Sequence, residues 1–432
     1  MKKILATITL IVFACFMAGA TIINNPTVDF NPGNESAFGV LETGELTPVL
    51  QMDFIYGINI QVGKTNISGL TGGGNVDTSA NRLRVQSGTN TAGFGTFQSV
   101  RGAKYRAGQG VTARWTSVFA QPVTNNLQEM GAGNESDGYM FGYFTNGQFG
   151  IIYRGWGTNS FIPQTSWNGD KSDGTGKSGF ALIPTNGNVY MVKYPFLGYG
   201  NIEFFIEDGS AGFVLVHTIL YANTSTNTSI SNPNLSFWAR SINYGSQSNV
   251  VMYSGSVGFF LSGPRSFLSN PKWAANSGYL TAATAYETNL ITLQNCTNYN
   301  GIPNRSLIRL NSMTISTTVT ASGAATYFVR YNPNYTIAPT FVAINGTTNL
   351  NGLVITNGNS ITGISTNNTG ISGGQLIFTS CVSGPNNGSQ NQLIDLSPYD
   401  LYIAPGDKIT VSVQAVAGTT ISIISLTWTE DI

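Results

Sequence analysis

The sequence predicts an all-β protein, and three observations predict it. Short runs rich in Val, Ile, Thr, Tyr and Phe, cut by Gly, Asn and Pro, recur along the chain. Nothing beyond the N-terminal apolar run carries the 3.6-residue repeat of a long amphipathic helix. The texture of the runs changes once, near residues 262–285, which divides the chain into two β-sandwich-like domains.

The first element is an export signal, residues 1–20. Lys2 and Lys3 precede the apolar run Ile4 to Met17, which ends in Ala18-Gly19-Ala20. That is the charged, apolar, small-residue order of a cleaved secretory segment, so the mature chain is expected to begin near Thr21. The alternative is an uncleaved anchor, since the run approaches the length of a short span.

The first sandwich is expected over residues 21–265. Its strands are read at Arg82 to Gln86, Val111 to Phe119, Tyr139 to Phe144, Phe149 to Arg154, Val189 to Tyr194 and Asn201 to Glu207. Asp208-Gly209 then supplies a turn into Phe213 to Leu220. Residues 266–285 read as a linker, with a small-residue stretch from Ala274 to Ala285 that allows one helical turn. The second domain, residues 286–432, has fewer aromatics, and its turns are Asn345-Gly346, Asn351-Gly352, Asn357-Gly358 and Asn387-Gly388. In its strand from Lys408 to Val416, Ile409, Val411, Val413 and Ala415 share one face, with Thr410, Ser412 and Gln414 on the other. A last strand is read at Thr420 to Thr429.

Composition narrows the function. Charged residues are 9% of the 432, against about a quarter in ordinary soluble domains. Twenty basic and twenty acidic residues cancel, so no net field gathers nucleic acid or anionic lipid. A polar, uncharged surface of this kind suits work outside the cell. Sequons recur, among them Asn134, Asn223 and Asn227, and matter only in a glycosylating pathway.

Catalysis finds few parts. His217 is the only histidine and sits within an apolar strand, and no G-x-S-x-G elbow occurs. Gly174 to Gly179 contains Gly-Lys-Ser, but Lys171 stands where a phosphate loop needs Gly. Glu203 and Glu207 are four strand residues apart, about 13 Å, too far for a glycosidase pair. Asp170 and Asp173, in a Gly-rich loop with Asn168, are the one candidate metal site, for calcium through oxygen ligands; no other cofactor is implied. Cys296 and Cys381, left over once Cys15 leaves with the signal, are a candidate disulfide closing a loop of roughly 85 residues. Tyr153, Arg154, Trp156 and Trp167 form the candidate carbohydrate site, because an exposed aromatic beside Arg, Asn and Asp suits a ring with an apolar face and a hydroxyl rim.

Several segments resemble a known family. Asp137 to Tyr143 with Gln148 to Arg154, Leu197 to Phe204 leading to Val216-His217 and Tyr221-Ala222-Asn223, and Tyr105 to Gly110 running into Arg114 and Phe119 are similar to concanavalin A-like jelly rolls of phage and large-DNA-virus surface proteins. The similarity spans about residues 38–262. Ala404-Pro405-Gly406-Asp407 and Leu426 to Asp431 resemble phage and viral fibre tips. The resemblance implies a jelly-roll sandwich followed by a C-terminal β-sandwich. It further implies a non-catalytic fibre or spike role in attachment, on a virion or cell surface. Its partners would be a glycan or host receptor, other virion or surface proteins, and in some assemblies a second copy of itself. No functional residue transfers from it. A bacterial secreted lectin or adhesin is the main alternative, and a polysaccharide-cleaving enzyme is disfavoured by the missing acid pair.

Overall fold

The structure, a computed structural model, describes residues 46–431 apart from 104–107, 196, 211, 264–271, 283–285, 300–301, 320–323, 337–338, 340, 344–352, 358–370, 384–388 and 417–418. The expected export segment, and the Asn-Gly turns at 345–346, 351–352 and 387–388, lie outside the described residues, as does Gly358.

Among the described residues sixteen strands build the N-terminal domain: β1 (Leu46–Asp53), β2 (Gly63–Ile67), β3 (Asn75–Ser79), β4 (Arg82–Gln86), β5 (Phe94–Ala103), β6 (Gly110–Ser117), β7 (Asn126–Gly133), β8 (Gly138–Tyr143), β9 (Phe149–Gly155), β10 (Thr158–Pro163), β11 (Asn188–Pro195), β12 (Ile202–Glu207), β13 (Phe213–Ile219), β14 (Leu235–Asn243), β15 (Val251–Ser254) and β16 (Ser256–Ser262). One sheet runs β1-β16-β6-β11-β12-β13 and the facing sheet β10-β9-β8-β7-β14-β5-β2, with β15-β4-β3 as a small third sheet. All pairings are antiparallel, and the chain crosses repeatedly between the two large sheets. This is an antiparallel jelly-roll sandwich, and every strand expected in it from sequence is present within a residue or two.

Period-two alternation makes the core. On β8, Tyr139, Phe141 and Tyr143 point between the sheets, while Gly138, Met140 and Gly142 face outward. Phe141 meets Tyr190 at 4.9 Å between ring centres and Phe204 edge-on at 5.6 Å. Each buried ring contributes about 1.5–3 kcal/mol by removal from water, and edge contacts about 0.5–1.5 kcal/mol more. The outward face of the seven-stranded sheet is filled differently. Glycines at 131, 133, 138, 142 and 150 leave room there, and Trp238, Met140 and Ile152 occupy it, with Phe161 laid against Gly150.

The C-terminal domain is a second sandwich. Thr288–Asn295, Lys408–Ala415, Ala324–Tyr331 and Gln375–Ser383 lie side by side in one sheet, and Lys272–Asn276, Thr420–Asp431, Leu307–Val319 and Ser389–Asp395 in the other. Ile409, Val411, Val413 and Ala415 face the core as expected. The opposite face is also covered, since Thr410 bonds Thr292 and Tyr335, and Ser412 donates to Glu287.

Two expectations are corrected. Residues 272–282 are not linker: Lys272–Asn276 and Leu280–Ala282 both pair with Thr420–Asp431. Their small residues hid the alternation by which Trp273 and Ala275 reach the core. Cys296 and Cys381 are free thiols. Cys296 follows Thr288–Asn295 near the start of Lys408–Ala415, whereas Cys381 aligns, through Thr326, with Gln414 near its end. Three strand spacings of about 4.8 Å and some eight residues of about 3.3 Å separate them, far beyond disulfide reach.

Glu430 shares the core-facing side of its strand with Leu426 and Trp428 and is fully buried, with no cation among the described residues paired to its carboxylate and only a weaker opposing influence from the Trp428 indole. Burial pushes its carboxyl up to about 7. A folded-state value above the unfolded one gives stability that is full below about pH 4 and is lost as pH rises towards 7. Denaturant unfolding is therefore expected to show the domain weakening across that window and levelling above it. Glu430→Gln flattens the slope; an unchanged slope would show that Glu430 is solvated.

Candidate functional site

The four residues expected to bind carbohydrate do not share a face. Tyr153 points inward, stacked on Tyr139 at 5.9 Å, with its hydroxyl donating to the Ser229 carbonyl. Trp167 is 3% exposed and packs edge-on against Phe141 and Phe149, so it is a core residue. The short turn Gln164–Ser166 folds it back, its N–H donating to the Gln164 carbonyl. Arg154 does lie on the outward face, but it is 4% exposed and its donors are consumed. Nη2 donates to both oxygens of fully buried Glu129 at 2.8 and 2.6 Å, Nη1 to the Asn134 carbonyl, and Nε to Asn159 Oδ1. Trp238 Nε1 adds a third bond to Glu129 at 2.7 Å. The carboxylate in the middle of this face is thus held by its neighbours, and apolar side chains fill the space around it.

Only Trp156 remains exposed, at 61%. It occupies the β9–β10 turn with φ 55°, followed by Gly157 at φ 79°, a pair of positive values that matches the twist of the flanking strands. A bulky residue at positive φ is strained by about 1–2 kcal/mol, so something must hold it. Its backbone N–H donates to Asp137 Oδ1 at 3.1 Å and its indole Nε1 to the Thr228 carbonyl at 2.9 Å.

Two tyrosines do the same beside it. Tyr199, from the β11–β12 turn, donates its hydroxyl to the Thr226 carbonyl at 2.8 Å, and Tyr221 donates to the Asn227 carbonyl at 2.9 Å. Three aromatic rings from three parts of the chain therefore place their polar handles on three successive carbonyls, 226, 227 and 228. Tyr199 is 42% exposed and Tyr221 half-buried, with ring centres 6.5 Å apart. Leu197 and Leu220, next to these elements in the chain, are also exposed.

Asp137 ties this surface to the rest of the molecule. It is fully buried. Oδ1 accepts from the N–H groups of Trp156 and Ser231, and Oδ2 from the Ser231 hydroxyl at 2.6 Å and from Arg305 of the C-terminal domain at 2.7 Å. Burial alone would raise its carboxyl, but the Ser231 and Arg305 bonds outweigh this and hold it below the usual range.

The remaining expectations fall elsewhere. Asp170 accepts from the N–H groups of Ser172 and Ser178, and Asp173 from the N–H and hydroxyl of Thr175, so both carboxylates organise their own loop. Among the described residues no group of three or more His, Cys, Asp or Glu is placed to hold a metal. His217 Nδ1 accepts from the Asn168 N–H, and burial lowers its pKa. Asn134, one of the sequons, is buried and unsuited to carry a glycan. Sequence reasoning missed Tyr199, Tyr221, Asp137 and Arg305. Asp137 before Gly138 reads as an ordinary turn residue, and nothing local marks Arg305.

Neither a family model nor a curated protein sequence matches the chain. Among solved structures, it is similar to an endo-acting O-glycanase of the human gut microbiota at 12% identity and TM-score 0.37, over 50% of this chain and 100% of that one. It is similar to an endo-1,3-β-glucanase from Streptomyces sioyaensis at 14% identity and TM-score 0.34, over 51% and 97%. A third is the winged bean acidic lectin, complexed with methyl-α-D-galactose, at 12% identity and TM-score 0.33, over 50% and 98%. The phage and viral setting is not represented among these three.

The Glu129–Arg154 pair carries a direct expectation. Removing one partner of a buried pair leaves an uncompensated charge, so Arg154→Met is expected to cost about 3–5 kcal/mol in denaturant unfolding. A loss below about 1 kcal/mol would show that the pair is solvated.

Proposed function

We propose that the chain is a non-catalytic glycan-binding component of an exported surface protein, with Trp156, Tyr199 and Tyr221 as its stacking platform. The observation that carries this is the tying of all three polar handles to one loop, which leaves exposed ring area with little rotamer freedom to lose. A sugar presents an apolar face to such rings and directs its hydroxyls to the polar loop around them. Attachment through a virion or cell-surface fibre is the setting the sequence resemblance suggests, and a secreted lectin or adhesin would use the same surface. The non-catalytic reading is supported by Glu129, whose oxygens are taken up by Arg154 and Trp238.

A glycan array followed by titration of the best ligand is the test. Trp156→Ala is expected to weaken binding by about 1–3 kcal/mol, by analogy with other aromatic stacking contacts. Unchanged affinity in both Trp156→Ala and Tyr199→Ala would place the site elsewhere, and sustained turnover of a polysaccharide panel would contradict the non-catalytic reading.

A further inference from the structure

A second ligand-sized space lies between the two domains, with a volume of about 310 Å³. That is within the range of small-molecule sites. Gln98 of β5, Ser236 of β14 and the turn Asn134 to Ser136 form one wall, and Asn304, Arg305 and Pro405 form the other.

The charges on these walls are already paired within the protein. Lys64 contacts Asp407 at 2.9 Å, Arg305 contacts Asp137 at 2.7 Å, and Glu135 contacts Arg240 at 3.0 Å. A phosphate or carboxylate ligand would have to compete with those partners. Amides and hydroxyls remain. Asn134 shows this best: its Oδ1 accepts from the N–H groups of Ser136 and Asp137 at 2.8 and 3.0 Å, which fixes the amide orientation. Its Nδ2 is then a buried donor without a partner, on a residue that lines the cleft. A buried donor without a partner is a rarity that a ligand oxygen would satisfy.

The cleft and the aromatic platform are neighbours. Gly157 N–H donates to the Ser136 carbonyl at 2.7 Å, so the turn that carries Trp156 is one hydrogen bond from the cleft rim. We propose that the cleft is a second subsite, which takes one uncharged sugar unit of an oligosaccharide whose adjoining units lie on Trp156. This rests on the glycan-binding reading above, and it specifies a neutral chain of about three units as the ligand.

The test uses the full protein and calorimetric titration. The probes are methyl glycosides of glucose, galactose and mannose, neutral trisaccharides of each, and a sialylated trisaccharide. The neutral trisaccharide of the preferred sugar is expected to bind at least about tenfold more tightly than its methyl glycoside. Gln98→Trp, which fills the cleft from a strand surface position, and Asn134→Ala are each expected to abolish that advantage while methyl glycoside binding persists. Because Asn134 also orders its turn, Gln98→Trp decides the matter should Asn134→Ala fold poorly. A trisaccharide advantage that survives Gln98→Trp overturns the cleft subsite and leaves the platform standing. An advantage lost in Gln98→Trp but untouched by Trp156→Ala supports the cleft and removes the platform. Tighter binding of the sialylated probe overturns the neutral-ligand assignment, and no binding by any probe overturns both readings.

Discussion

The arrangement of the candidate surface depends on one buried carboxylate. Asp137 receives the backbone of the Trp156 turn, the backbone and hydroxyl of Ser231, and the guanidinium of Arg305. Taking a charge out of water is costly, and the cost is offset here only because several donors converge on the two oxygens. Those donors come from three different parts of the chain. One carboxylate therefore fixes the left-handed Trp156, the loop whose carbonyls hold three aromatic rings, and the approach of the second domain.

Two further ion pairs between the domains are more exposed, at least on their basic side. Lys64 meets buried Asp407 from the solvent side, and Arg101 meets Asp400 with both side chains open enough to be screened by salt. The Asp137–Arg305 pair is the buried one and sits beside the interdomain cleft. The sandwich supplies rigidity of a different kind. Rings interdigitate between the sheets, and glycines on the outward face leave the room that Trp238, Phe161 and the Glu129–Arg154 pair fill. A face filled in this way offers no groove, which places ligand chemistry at its end, where the loops are.

The strands were legible because their signal is local: alternation of apolar residues and punctuation by Gly and Asn. The face of Lys408–Ala415 and the strand bounds in the jelly roll follow from that alone. Trp156 and Trp167 show where such reading stops. Both run directly into Gly and Asn residues, Gly157 to Asn159 and Asn168-Gly169, yet one is exposed and one is core, and the difference is a turn that folds Trp167 back over Phe141 and Phe149. Arg154 alternates correctly onto the outward face, but its buried partner Glu129 lies on β7, a neighbour only through β8. The two cysteines were paired by count, which takes no account of the two strands lying between them. Small residues in 272–282 concealed strands that the last strand of the chain completes.

The central claim is that one continuous surface, organised by Asp137, receives the ligand. Amide hydrogen exchange with and without a neutral oligosaccharide tests it most directly, since it reports every segment at once. The account predicts added protection at residues 134–137, 156–157, 226–231 and 304–305 together. Protection confined to another region, with these four segments exchanging as in the free protein, would contradict it.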